Sequence, residues 1–261
     1  MAGAETEGPL WDQGAEGWAE FQEAQFQVCF EDALTAASAG PGARLLDVGC
    51  GSGLLLRLAA ERGAAVAGLD ASPGLLQVAR RTLPEGADLR VGDLESLPFG
   101  EAEFDIVTAF NALRYATDAV AAVRGFARAV KPGGRIVVGG WGEPRKCETT
   151  GLLFAVLALL PEPPDWSGSS SVNTPTEVRE TVRRAGLPVT FVKELSCPFV
   201  YPDRETAWRA LSATGLLRQA SATAGEDAVR KVFDEYVNPS VRPDGSVVQH
   251  NVCEYTVTRV P

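Results

Sequence analysis

Short apolar runs alternate with helix-like stretches through the central part of the sequence. The apolar runs lie at 45–48, 64–70, 88–93, 104–110 and 135–140. The stretches between them, at 54–62, 73–83 and 118–130, consist of good helix formers or carry apolar residues at helical spacing. Strands that alternate with helices indicate βαβ units. The pattern therefore predicts an α/β fold with a mostly parallel sheet.

The pattern changes on both sides of this central part. Residues 1–9 are predicted to form a loose tail, and 10–37 to be helical, with aromatic residues that pack on the core or help to cover a substrate. Beyond Trp141 we predict a mixture of helices and strands, with one linker or mobile lid at 161–171. The predicted helices are 151–160, 176–185, 203–217 and 226–236, and the predicted strands are 188–195 and the last strand, 247–260.

No boundary in the sequence separates independently folding parts. We therefore expect one integrated domain with three regions: the tail and helical cap at 1–40, the α/β core at 41–142, and the rest of the sheet with its lid and helical insertions at 143–261. The length of 261 residues suits one large α/β domain.

Composition narrows the class of protein. The net charge of −10 opposes binding to nucleic acid and to anionic membranes. Five scattered cysteines without a CxxC pair, and a single histidine, leave almost no ligands for zinc, so we predict no metal site and free thiols in a reducing compartment. The first ten residues lack the features of a signal peptide, and the apolar stretch 152–160 is too short to span a bilayer. We expect a cytoplasmic protein; its oligomeric state stays open.

A glycine-rich turn follows the first apolar run. Gly49, Gly51 and Gly53 alternate with Cys50 and Ser52 directly before the first helix. Glycine lets the backbone turn sharply and lets a ligand approach the main chain closely. In open α/β sheets, ligands of the nucleotide type bind at such turns, at the carboxyl ends of the strands.

Acidic residues mark the ends of three successive strands. Asp47, Asp70 and Asp93 lie at or just beyond these ends, which are neighbours along one edge of a doubly wound sheet. Aspartate is common in turns, so any one of the three is readily explained without a ligand. Three at one edge, with one beside the glycine turn, favour a shared binding site, and Asp70 stands where such folds bind a ribose.

The glycine spacing helps to identify the ligand. A dinucleotide turn has the spacing G-x-G-x-x-G, whereas this turn has G-x-G-x-G with Leu54 at the position of the third glycine. There is no G-K-[ST] sequence of a P-loop after it. A turn surrounded by three carboxylates suits a neutral or positively charged ligand better than a pyrophosphate.

Five segments, in order, resemble class I S-adenosylmethionine-dependent methyltransferases of the small-molecule type. The similar segments are the glycine turn at 45–53, Gly-Leu-Asp-Ala-Ser at 68–72, 91–99 around Asp93, 104–113 at the fourth strand, and Lys-Pro-Gly-Gly-Arg-Ile at 131–136. The resemblance implies a Rossmann-like, doubly wound, seven-stranded sheet with an antiparallel last strand. It also implies S-adenosyl-L-methionine as cofactor and methyl transfer to O, N or C of a small, apolar molecule.

The same resemblance implies which residues bind the cofactor. Asp47 is expected near its amino group, Asp70 at the ribose hydroxyls, Asp93 with the Leu94 backbone at the adenine, and Phe110 and Asn111 at the methyl donor. The complete predicted set is Asp47, Gly49, Cys50, Gly51, Gly53, Asp70, Ala71, Ser72, Asp93, Leu94, Phe110 and Asn111.

The catalytic residue is less well defined by sequence. Many small-molecule members have a histidine after the fourth-strand segment, where this chain has Arg114 and Tyr115. The single histidine, His250, precedes a last strand that is expected to run antiparallel, so His250 is predicted as a base at the ligand edge. A structural role for a lone histidine is the competing interpretation, and Arg114, Tyr115 and Glu16 are weaker candidates.

The segments outside the resemblance are predicted to select the substrate. Trp141, Phe154, Trp166 and Trp208 are candidates for an apolar wall, although each could equally belong to the core. A second hypothesis keeps the cofactor but replaces methyl transfer by a cyclisation or rearrangement, since a fold alone does not fix a function. A nicotinamide-dependent oxidoreductase and a non-enzymatic binding module are weaker alternatives.

Overall fold

The computed structural model describes residues 3–161 and 172–261. In these ranges the strands are β1 (Arg44–Val48), β2 (Ala65–Asp70), β3 (Asp88–Val91), β4 (Phe104–Phe110), β5 (Val130–Trp141), β6 (Phe191–Ser196), β7 (Phe199–Tyr201), β8 (Val247–Gln249) and β9 (Val252–Arg259). The α-helices are α1 (Ala4–Asp12), α2 (Ala15–Gly17), α3 (Gln27–Ala36), α4 (Leu54–Glu61), α5 (Pro73–Thr82), α6 (Ala119–Ala129), α7 (Glu148–Leu157), α8 (Pro175–Arg184), α9 (Arg204–Ser212), α10 (Gly215–Ala224) and α11 (Glu226–Val237). A π-helical turn, Trp18–Gln22, and a 3₁₀ turn, Glu23–Phe26, join α2 to α3.

Seven strands form one sheet in the order β3-β2-β1-β4-β5-β9-β6. The strands from β3 to β5 pair in parallel, and β9 runs antiparallel between β5 and β6. The predicted α/β fold, with its doubly wound and mostly parallel sheet and an antiparallel last strand, is therefore confirmed. The strand order reverses between β1 and β4, which is the point where such sheets bind ligands.

The central strands are buried on both faces of the sheet. On β1, Leu45 packs in the apolar cluster that includes α3 and α4, whereas its neighbour Leu46 packs in the cluster that includes α6 and α8. Successive side chains of a strand point to opposite faces, so a strand covered by helices on both sides is apolar at consecutive positions. This explains why the strands appear in the sequence as continuous apolar runs.

Two helices begin at side-chain N-caps: α5 at Pro73, as predicted, and α8 at Pro175, one residue before its predicted start. Ser72 is the N-cap of α5, where its hydroxyl accepts a hydrogen bond from the Leu75 backbone N–H. Thr174 caps α8 in a capping box with Glu177. Each side-chain oxygen satisfies a backbone N–H that has no partner within its own helix.

The structure corrects three predicted boundaries. Residues 1–9 were expected to be a tail, but α1 begins at Ala4 because Gly8, which has no side chain, lets this helix lie against the Ala71 carbonyl. The predicted helix 203–217 is divided into α9 and α10 at Ala213. The predicted last strand 247–260 is two strands, of which β8 pairs with β7 in a separate small sheet.

In the two described ranges, no helix is both long enough and apolar enough to cross a membrane. The division into regions 1–40, 41–142 and 143–261 stays a prediction.

Candidate functional site

A cavity of about 600 Å³ lies at the carboxyl edge of the parallel strands. Its floor consists of the residues that follow β1, β2, β3 and β4, and the N-terminal helices, α7 and α10 form its walls. The cavity has a polar end beside the glycine turn and an apolar end beside α7 and α10. Its position agrees with the rule that open α/β sheets bind ligands where the strand order reverses.

The glycine turn brings bare backbone to the cavity. Gly49 and Gly51 have φ angles of 77° and 55°, in the left-handed region that favours glycine. A Cβ atom at Gly49 would lie 2.6 Å from the Cβ of Ala112, and one at Gly51 would lie 2.8 Å from Oε1 of Glu23. Side chains are therefore excluded from both positions.

The N-terminus of α4, behind this turn, is closed by a carboxylate of the chain itself. Glu23 accepts hydrogen bonds from the Ser52 N–H at 3.0 Å, the Leu54 N–H at 3.2 Å and the Ser52 hydroxyl at 2.6 Å. Trp18 Nε1 donates to the same carboxylate at 3.3 Å. Burial raises the pKa of Glu23, and these hydrogen bonds oppose that rise. The anion site of the helix N-terminus is thus taken by Glu23, which leaves no place there for a pyrophosphate.

A second acid of the N-terminal segment binds the start of α5 in the same way. Asp12 Oδ1 accepts a hydrogen bond from the Ser72 hydroxyl at 2.5 Å and from the Gly74 N–H at 2.7 Å. Residues 3–36 are therefore fastened over the cavity by two carboxylates, each at the positive end of a helix dipole.

The three strand-end acids share the polar end of the cavity. Asp47 accepts a hydrogen bond from the Thr108 hydroxyl at 2.6 Å. Asp70 accepts hydrogen bonds from the backbone N–H groups of Gly51 at 2.8 Å and Ser72 at 2.9 Å. Asp93 accepts a hydrogen bond from the Glu95 N–H at 2.8 Å. All three line the same cavity. These bonds hold each carboxylate in one orientation and leave it further lone pairs for a ligand.

Burial also raises the pKa of two of these acids. Desolvation raises the pKa of Asp47 to about 7, with a further rise from the nearby charges of Glu23 and Asp70. Desolvation likewise raises the pKa of Asp70, against its backbone hydrogen bonds. A positively charged group bound among these carboxylates would lower the pKa of both Asp47 and Asp70 again. The polar end of the cavity therefore favours a cationic ligand.

The end of β4 forms the boundary between the polar and apolar ends. Phe110 is its last residue, and Asn111 follows with φ 55°, a left-handed conformation that asparagine tolerates. Asn111 Oδ1 accepts the Trp141 N–H at 3.1 Å. Next to it, a Cβ at Gly140 would lie 2.3 Å from Asn111 Oδ1, so the close approach requires glycine. The Asn111 side chain is consequently fixed to β5.

Large apolar side chains line the other end. The apolar side chains at this end come from four different secondary-structure elements and are Phe26, Phe30, Trp141 and Leu153. The polar residues beside them are Gln22, Thr149, Thr150 and Gln219. The described lining residues of this end include no histidine and no lysine.

The structure brings most of the predicted cofactor-binding residues to one cavity. Those that line it are Asp47, Gly49, Cys50, Gly51, Asp70, Ala71, Asp93, Leu94, Phe110 and Asn111. Gly53 and Ser72 lie outside the lining, because Gly53 is the N-cap of α4 and the Ser72 hydroxyl is bound to Asp12.

The candidate catalytic residues are more dispersed. His250 is exposed and lies outside the lining of the cavity; its backbone N–H donates to Glu148 at 2.7 Å. Glu16 pairs at the surface with Arg81. Arg114 and Tyr115 do line the cavity, and Arg114 donates to Asn173. Because β9 begins opposite Trp141, His250 does lie near the carboxyl edge of the sheet, but its side chain is exposed there and does not line the cavity.

The predicted apolar wall is only partly present. Trp141 and Phe154 line the cavity, whereas Trp208 packs against Phe233 with ring centroids 5.2 Å apart. Trp166 lies outside the described residues. Sequence reasoning missed Asp12, Gln22 and Glu23. A polar side chain in an amphipathic helix carries no sign of a long-range partner, and the π-helical turn shifts the residues that face inward.

Comparison with known proteins supports the resemblance. Residues 46–138 match the family model described as Methyltransferase domain. The ubiquinone biosynthesis O-methyltransferase of Alkalilimnicola ehrlichii is 36% identical over 162 residues, which are 59% of this chain and 64% of the relative. The demethylmenaquinone methyltransferase of Renibacterium salmoninarum is 38% identical over 42% of this chain and 46% of the relative. The matches thus span about half to nearly two thirds of these relatives.

The fold has a solved counterpart. Geranyl diphosphate C-methyltransferase from Streptomyces coelicolor A3(2), in complex with Mg²⁺, geranyl diphosphate and S-adenosyl-L-homocysteine, superposes with a TM-score of 0.55. The match covers 92% of this chain and 81% of that protein at 18% identity. At this identity the likeness shows a shared fold. The family match supports the resemblance to class I methyltransferases within residues 46–138.

The position of Glu23 generates a stability prediction. Replacing Glu23 by alanine removes the partner of two buried backbone N–H groups and one hydroxyl, so we expect the free energy of unfolding to fall by about 2–3 kcal/mol. Chemical denaturation followed by circular dichroism measures this. Glu16→Ala, an exposed acid of the same segment, is the control and should change stability by less than about 0.5 kcal/mol. Equal effects of the two substitutions would contradict the capping role.

Proposed function

We propose that this chain, whose residues 46–138 match the methyltransferase-domain family model, uses S-adenosyl-L-methionine to methylate O, N or C of a small, apolar molecule. The observation that carries the proposal is the single cavity in which an acidic end and an aromatic end meet at Phe110 and Asn111. The names of the relatives, a ubiquinone biosynthesis O-methyltransferase and a demethylmenaquinone methyltransferase, support a small-molecule substrate.

The polar end of the cavity fits the cofactor. The side-chain-free backbone of Gly49 and Gly51 leaves room for a close contact, and the surrounding carboxylates suit a ligand with a positive amino group and a sulfonium. When bound, the cofactor supplies a methyl group activated by the positive charge of its sulfur. A dinucleotide fits poorly, because Glu23 takes the place of the pyrophosphate.

Each strand-end acid has a proposed partner. Asp70 would bind the ribose hydroxyls, in an orientation fixed by the N–H groups of Gly51 and Ser72. Asp93, with the Leu94 backbone, would bind the adenine, and Asp47 the amino group of the methionine part. Phe110 and Asn111 would flank the methyl group. Trp11 and Glu7 of α1 also line the cavity, so the N-terminal cap would cover the cofactor.

The apolar end would act by positioning and desolvation. Its described lining residues provide no histidine or lysine as a base, and Cys50 is unsuited to that role because burial raises the pKa of its thiol. Methyl transfer from a sulfonium needs a well-aligned nucleophile more than it needs proton transfer. Exclusion of water by the aromatic walls would strengthen the attraction between that nucleophile and the positive sulfur.

The non-methylating alternative is not favoured, since both relatives described above are named as methyltransferases. Within the cell, we infer a reducing compartment such as the cytoplasm, because all five cysteines are free and buried.

Transfer itself is tested by incubation with cofactor labelled in its methyl group and a panel of phenols, amines and activated carbon acids. We expect a product heavier than its substrate by one methylene and carrying the label. A product of unchanged mass would support cyclisation or rearrangement instead, and failure of every substrate to gain label would contradict the proposal.

Cofactor binding is tested with Asp70→Ala. Loss of the contacts to the ribose should weaken binding of S-adenosylhomocysteine by roughly tenfold or more in calorimetry, since hydrogen bonds to charged groups contribute strongly. Asp88→Ala is the control, because Asp88 pairs with Arg90 at the start of β3 and lies outside the cavity lining. NADH should not compete. Unchanged affinity of Asp70→Ala would remove Asp70 from the site.

The raised pKa of Asp47 predicts a pH dependence of binding. A carboxyl with a pKa of about 7 is half protonated at neutral pH in the free protein. The positive amino group of the cofactor favours the ionised form, so binding releases a proton and becomes stronger as pH rises. We expect the affinity for S-adenosylhomocysteine to rise by up to about tenfold per pH unit below pH 7 and to level off above it. Calorimetry in buffers of different ionisation enthalpy measures the released proton; in Asp47→Asn this release should disappear.

His250 provides a further test. Since His250 is exposed and away from the cavity, His250→Ala should retain the turnover of the unmodified protein. A large loss of turnover with unchanged cofactor affinity would restore His250 as a base.

A further inference from the structure

Gln22 is a buried polar residue at the apolar end of the cavity. It lines the cavity, although only 1% of its surface is exposed. It is the last residue of the π-helical turn, and the next residue, Glu23, is bonded to the glycine turn. Gln22 is therefore held close to the place where the polar and apolar ends meet.

The two ends of the Gln22 amide have different environments. Its Oε1 accepts a hydrogen bond from the Tyr201 hydroxyl at 2.7 Å. Burial raises the pKa of Tyr201, so this hydroxyl keeps its proton and needs an acceptor, which fixes the oxygen of the amide toward Tyr201. Within residues 3–161 and 172–261, the Nε2 group has no hydrogen-bond partner. Two N–H donors are thus left on the cavity side of the amide.

A row of aromatic rings connects Gln22 to the end of β4. The row passes through rings with centroids 5.2 to 6.5 Å apart, in the order Phe110, Phe30, Phe26, Phe199 and Tyr201. Trp141 packs on the same row, 5.5 Å from Phe26. Phe110, Phe30, Phe26 and Trp141 also line the cavity, so they present a continuous aromatic surface to its contents. Aromatic walls of this kind favour flat, unsaturated ligands.

We propose that Gln22 determines substrate specificity by donating a hydrogen bond from Nε2 to a carbonyl or phenolate oxygen of a planar, apolar ring compound. The substrate class rests on the proposed methyl transfer, but the binding preference is a property of the cavity itself. A ligand that fills the cavity displaces the water that can otherwise bind this donor, so ligands with an oxygen acceptor are favoured over ligands of the same shape without one. Tyr201 acts as a positioning residue, because its hydroxyl holds the amide in this orientation.

The test compares two small probes of nearly equal shape, 1-tetralone, which carries a carbonyl oxygen, and tetralin, which does not. Binding is followed by quenching of tryptophan fluorescence, because Trp18 and Trp141 line the cavity. We expect the unmodified protein, with and without S-adenosylhomocysteine, to prefer 1-tetralone by roughly fivefold, the effect of one hydrogen bond. Equal affinity for the two probes, or no binding of either, would overturn the proposal.

Variants assign the preference to one side chain. Gln22→Leu should bind both probes equally, and so should Gln22→Met, which keeps the length of the side chain without an N–H donor. Gln27→Leu is the control, since Gln27 is bonded to Glu31 on α3 outside the cavity lining, and it should keep the fivefold preference. An unchanged preference in Gln22→Leu would overturn the role of Gln22; if that variant does not fold, Gln22→Met decides the same point.

The two proposals fail in different ways. If the protein does not bind S-adenosylhomocysteine, the proposed function is wrong, while the probe preference can still be measured in the empty cavity. If the cofactor binds and the probe preference is absent, only the role of Gln22 is wrong.

Discussion

The buried contact between Glu23 and the N-terminus of α4 is the interaction on which the site depends. A helix start exposes backbone N–H groups and positive dipole charge, and these require an oxygen partner. In dinucleotide-binding folds the ligand phosphate provides it. Here the chain itself provides the oxygen partner: Glu23 accepts a hydrogen bond from the N–H of Leu54, which lies 31 positions later in the sequence. The glycine turn is consequently closed from behind before any ligand is bound.

This contact also explains how the N-terminal segment becomes part of the site. Glu23 and Asp12 fasten the segment to the starts of α4 and α5, and Trp11 and Trp18 of the same segment line the cavity. Their rings pack edge to face, 5.0 Å apart. The π-helical turn after Trp18 changes the helical phase, so that Gln22 faces the apolar end and Glu23 the glycine turn. The N-terminal segment is thus a structural part of the polar end of the cavity as well as a cover for it.

The parts predictable from sequence are those determined by local pattern. Continuous apolar runs and the glycine spacing identify the parallel strands and the turn, and the strand ends place Asp47, Asp70 and Asp93 at one edge, because register in a parallel sheet brings them there. Contacts across long sequence distance are different. Glu23 and Gln22 look like ordinary polar residues of a helix, and α1 looks like a tail because its packing depends on Gly8 meeting the loop after β2. The antiparallel last strand places His250 at the carboxyl edge, as predicted, but its side chain is exposed outside the cavity lining. The turn between β8 and β9, which sets this orientation, leaves no mark in a run of β-forming residues.

The charge distribution explains why one cavity can serve both a charged and an apolar ligand. The carboxylates are concentrated at the strand ends, and burial with mutual repulsion raises the pKa of Asp47 to about 7. A ligand that brings positive charge to this end restores ionisation there and is held by it, whereas an anion would increase the repulsion. The aromatic end has no comparable charge, so a neutral ring compound enters it without displacing a buried ion pair. Because the two ends meet at Phe110 and Asn111, a positive group and an apolar molecule bound as proposed would meet at a boundary that both can reach, and placement alone would favour the reaction between them.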